Sequence, residues 1–153
     1  MSIAGNVIQI LAGLPEFLRK PMMRNRMNDF FALPDEDKIE MIKGVIDALP
    51  TVDVNITARL FRTWIEVLYE FGSEKSTSMF SMYANILTEN PSILASIDLR
   101  PIVEAFNSLN KEIRDSIASS IRNVLNRLEE EKRDALIKYI PVYALDVIGY
   151  NSR

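Results

Sequence analysis

Apolar residues return along this chain at an interval of 19. Counting from Leu14, successive steps of 19 land on Leu33, Val52, Phe71, Asn90, Leu109 and Leu128, and only Asn90 is polar. Eight residues into each unit stand Met22, Met41, Leu60, Met79, Asp98, Ile117 and Leu136. Twelve residues in stand Arg26, Val45, Trp64, Tyr83, Ile102, Ile121 and Ile140. The pairs Ala48-Leu49, Val67-Leu68, Ile86-Leu87, Ala105-Phe106 and Val124-Leu125 close the pattern. Steps of four and then three keep side chains on one face of an α-helix, so each unit reads as one helix and a turn, with Met22, Met41 and Met79 facing inward. Projected backwards, the register meets Ile3, Val7, Ile10 and Leu11, an incomplete first unit.

The unit boundaries carry helix punctuation: Pro34 followed by Asp35, Glu36 and Asp37, then Asp53, Gly72-Ser73, Asn90-Pro91, Asn110, and Glu129 to Glu131. Acids favour the positive end of the helix dipole, while Gly and Asn close helices in the left-handed conformation. A unit of this length leaves about 14 residues for a helix and about five for a connection, and such short connections make neighbours antiparallel. The predicted fold is all-α: one domain over 1–153 of antiparallel helical hairpins in an α-solenoid-like array, with a compact multi-helix bundle as the alternative. From Ile3 to Leu145 this hydrophobic spacing resembles the architecture of HEAT and armadillo-type repeats, without the tetratricopeptide signature. The resemblance implies a scaffold that binds protein or nucleic acid.

Three prolines fall inside units: Pro21, Pro101 and Pro141. A proline in a helix interior costs about 3 kcal/mol, so helices should restart or kink there. The fifth unit is expected to split at Asp98 to Pro101, with a fresh helix running to about Leu109.

Composition removes chemistry more than it adds any. The chain has no cysteine and no histidine, hence no thiolate nucleophile, no zinc-thiolate site and no imidazole base. Its net charge of −3 is too small to argue for a polyanion partner. The apolar N-terminal stretch has no basic leader and is about half the length of a membrane span. These readings predict a cytoplasmic, non-enzymatic protein without a cofactor or metal.

Arg19, Lys20, Arg24 and Arg26 gather four positive charges without an intervening acid, among Met22, Met23 and Met27. Such a segment suits nucleic acid or another anionic surface, or else forms a solvated face paired to Glu16 and Asp29. The second candidate surface is the first helix, where Ile3, Val7 and Ile10 have no charged neighbour before Glu16. An uncapped apolar end of a helical stack suits a protein partner or a second copy, here a homodimer. The acidic runs Asp35 to Glu40 and Glu129 to Glu131 read as helix starts, and Glu66, Glu70 and Arg62 as a salt-bridged face of one helix. Trp64 is assigned to the core.

Overall fold

The computed structural model describes residues 3–150, and these form helices joined by turns, without strands. Nine α-helices follow in order among the described residues: α1 (Ile3–Gly13), α2 (Glu16–Phe31), α3 (Asp35–Ala48), α4 (Val54–Phe71), α5 (Ser73–Leu87), α6 (Arg100–Asn107), α7 (Lys111–Arg127), α8 (Glu130–Tyr139) and α9 (Val142–Val147). Two 3-10 turns, Leu49–Thr51 and Pro91–Ser96, join them. Helices begin at 16, 35, 54 and 73 and again at 111 and 130, all in one register of 19 residues.

Local chemistry fixes those starts. The carbonyls of Pro15 and Pro34 accept from Arg19 N at 2.8 Å and Lys38 N at 3.1 Å, and open α2 and α3. The Asp53 carboxylate accepts from Asn55 N at 2.8 Å, and the Asn110 side chain from Ile113 N at 3.0 Å, capping α4 and α7. Between α4 and α5 only Gly72 intervenes, at φ +97°, a conformation that side chains with a Cβ rarely adopt.

The helices pack as a compact array. α1 lies on α3, α3 on α5 and α5 on α7, while α2 lies on α4 and α4 on α6; α4 also touches α1, α5 and α7. Its central position explains its burial: Ile65, Val67 and Leu68 are inaccessible to solvent, and Ala58, Leu60 and Thr63 are buried with them. Trp64 packs between Phe61, Phe80 and Tyr83 with ring centroids 5.6–6.1 Å apart, as its core assignment requires. Ile117 and Phe106 continue this core, and Leu136 joins Val124 and Leu125 beyond it.

Arginines from one helix close the C-terminal ends of others. Arg59 and Arg19 donate to the Ala12 and Leu14 carbonyls at 3.3 and 2.9 Å, at the end of α1. Arg122 donates to Ile148 O at 2.6 Å after α9, and Arg133 to Leu128 O at 3.3 Å after α7. Each brings a cation to the negative end of a helix dipole.

The prolines divide as follows. Leu99 precedes α6, which carries Pro101 in its first turn and ends at Asn107, and Pro141 separates α8 from α9. Pro21 departs from expectation: α2 runs through it unbroken. The one bond it removes would end on the Phe17 carbonyl, and Phe17 is so exposed that water can take its place. Met22 and Met41 also depart, lying exposed, while Met23 and Ile42 next to them are buried. Only Met79 of the three inward methionines points to the core as expected.

Candidate interaction surface

α2 carries the basic segment, and packing against α4 decides what its charges do. Lys20 Nζ lies 3.6 Å from Glu66 Oε2 and 3.4 Å from Glu70 Oε2. Arg24 Nε donates to Glu70 Oε1 at 2.8 Å and Nη2 to Oε2 at 3.2 Å, a two-pronged fork. Arg62 on α4 extends the network to Glu66 at 3.0 Å and Glu16 at 3.6 Å. The fork holds the Glu70 carboxyl below its ordinary range, and the same bond raises the Arg24 guanidinium.

Arg19 is spent on structure, since besides the Leu14 carbonyl it donates to Thr63 Oγ1 at 3.3 Å. Its Nε is buried without a partner. The Arg24 side chain stays 41% exposed within its fork, Arg26 is exposed, and among the described residues Arg26 and Asp29 form no ion pair. The expected partners are thus replaced: Glu16 meets Arg62, and the acids that meet the segment, Glu66 and Glu70, lie on another helix. The Glu66 side chain, 16% exposed, is drawn between the helices rather than left on an open face.

The apolar surface lies on α1 and α2. α1 turns Ile8, Leu11 and Ala12 inward, and Ile3, Val7 and Ile10 outward at 85%, 43% and 65% exposure. α2 turns Met23, Met27 and Phe30 inward, and leaves Phe17, Leu18 and Met22 in solvent, Phe17 at 76%. α1 and α2 touch each other, so two neighbouring helices at the start of the array both present apolar outer faces. Single exposed apolar residues are ordinary, whereas six large ones on one helix pair make these outer faces the candidate surface. The sequence pointed to Ile3, Val7 and Ile10 as an uncapped end, although all three stand on the inward register; α1 buries Ile8, Leu11 and Ala12 instead, each one residue beyond a register position, and Phe17 and Leu18 were missed.

Elsewhere the acidic runs sit where helices begin, Asp35, Glu36 and Asp37 in the first turn of α3 and Glu129 at the N-cap of α8. Among the described residues no group of three or more carboxylates is placed to hold a metal ion, and no helix is long and apolar enough to cross a membrane. Comparison with family models, curated proteins and solved structures finds no match for this chain.

Proposed function

We propose that this chain is a non-enzymatic, cytoplasmic helical scaffold that makes protein–protein contact, with a second copy or another protein, through the outer faces of α1 and α2. The observation that carries the reading is the set Ile3, Ile10 and Phe17, large apolar side chains in solvent on two touching helices. Covering such side chains releases about 25 cal/mol for each Å² of apolar area withdrawn from water. The reading through the basic segment has less support, because Lys20 and Arg24 already face Glu66 and Glu70. Phosphates would have to displace those carboxylates.

Sedimentation of the full chain across a concentration series, with a pull-down from lysate, tests the proposal. A dimer, or a captured protein, should be lost in Ile10→Lys/Phe17→Lys, while far-ultraviolet circular dichroism stays that of the parent. A clean monomer that captures no protein dependent on these residues would overturn it.

A further inference from the structure

α5 and α7 pack side by side, and between them runs a concavity of about 640 Å³ whose lining differs from the rest of the surface. Seven of its ten lining residues are serine or threonine; the others are Glu74, Asn123 and Arg127. The volume lies within the roughly 300–1,000 Å³ of clefts that hold small molecules.

Among the described residues those hydroxyls enter no hydrogen bond. Ser76, also on α5 and buried, donates to Leu68 O at 3.2 Å. Ser120 is buried to 2% exposure and lines the groove, and among the described residues its hydroxyl enters no hydrogen bond. Glu74 and Arg127 likewise enter no ion pair among the described residues.

The lining also runs against helix preference. Positions 77, 78 and 81 of α5 correspond, two units earlier, to Ile39, Glu40 and Lys43 of α3. Ser and Thr are poorer helix formers than Glu or Lys, and they shorten the side chains that would otherwise fill the space. Helix stability therefore does not account for hydroxyls on both sides of one groove.

From this we infer that the α5–α7 groove binds an uncharged, polyhydroxylated ligand of the sugar or polyol class. A hydroxyl both donates and accepts, as do the hydroxyls of such a ligand, whereas an anion would only accept. With Glu74 opposing Arg127 the lining has no net charge to draw an anion. The amide of Asn123, the carboxylate of Glu74 and the guanidinium of Arg127 can each bridge two neighbouring ligand hydroxyls. The site uses neither α1 nor α2 and stands or falls apart from the association surface.

Titration of the nitrogen-15-labelled full chain with glucose, maltose or myo-inositol, and separately with inorganic phosphate, tests the assignment. At least one uncharged ligand should give saturable amide shifts confined to residues 73–81 and 116–127. Ser120→Ala/Asn123→Ala should weaken binding about tenfold, the loss of roughly one net hydrogen bond. Ser76→Ala should lower the melting temperature and leave that affinity unchanged. Absence of saturation with all three, saturation by phosphate instead, or an unchanged affinity in the double variant would each overturn it.

Discussion

Arg24 and Glu70 stand 46 positions apart in the chain and meet in a fork of 2.8 and 3.2 Å that ties α2 to α4. Asp98 and Asp115 are held in the same manner, by side-chain hydrogen bonds from Arg100 and Lys111, and all three carboxyls titrate below their ordinary values of 4.5, 3.8 and 3.8. A depressed folded pKa gives stability that is complete above the unfolded value and is lost as pH falls toward the folded one. Stability should therefore decline below about pH 4.5, and less steeply in Glu70→Gln. With no histidine in the chain, it should be level between about pH 5.5 and 7. Urea unfolding at a series of pH values measures both; a sigmoidal step inside the level range would contradict the assignment.

Ile65 is inaccessible to solvent at the middle of α4. Ile65→Ala should cost about 2–5 kcal/mol, through lost burial and the cavity left behind. Met41→Ala, at an exposed position, should stay within about 0.5 kcal/mol of the parent. Equal losses in chemical denaturation would mean that α4 is not the centre of the core.

Two glycines separate backbone strain from crowding. A Cβ added at Gly13 or at Gly72 meets no atom within 4 Å, yet only Gly72 has a positive φ. Gly72→Ala should destabilise by about 1–3 kcal/mol, whereas Gly13→Ala, at the end of a helix, should be neutral or stabilise by up to about 1 kcal/mol. Thermal melts of the pair decide this, and a harmless Gly72→Ala would refute the strained corner.

Pro21 interrupts the hydrogen-bond ladder of an otherwise continuous α2. Pro21→Ala restores the bond to Phe17 O and should raise stability by about 1–3 kcal/mol, partly offset by a freer unfolded chain. A lower melting temperature would show that the proline fits its place better than a regular turn does.

The helix starts were legible because caps and spacing are local: Pro34, Asp53 and Asn110 announce them within a few residues. The splits at Pro101 and Pro141 follow from one missing donor each. The partners of Lys20 and Arg24 were not legible, since spacing reveals neighbours three or four residues away and the acids that meet them lie on another helix. Met22 and Met41 misled for a related reason. Helices α2 and α3 turn Met23 and Ile42 inward, one residue beyond the register that buries Leu60 and Met79 in α4 and α5. The hydroxyl groove was invisible for the same cause as the ion pairs: its two serine-rich segments become one surface only when α5 meets α7.

The corner at Gly72 leaves no slack between α4 and α5. One residue inserted early in α5 would turn everything after it by about 100°. Met79 and Ala84 would swing off the core together, and Thr77 would leave its place opposite α7. Chain length in this stretch is therefore a coordinate of the structure: it admits substitutions one at a time, but an insertion only where an unbonded loop can absorb the rotation.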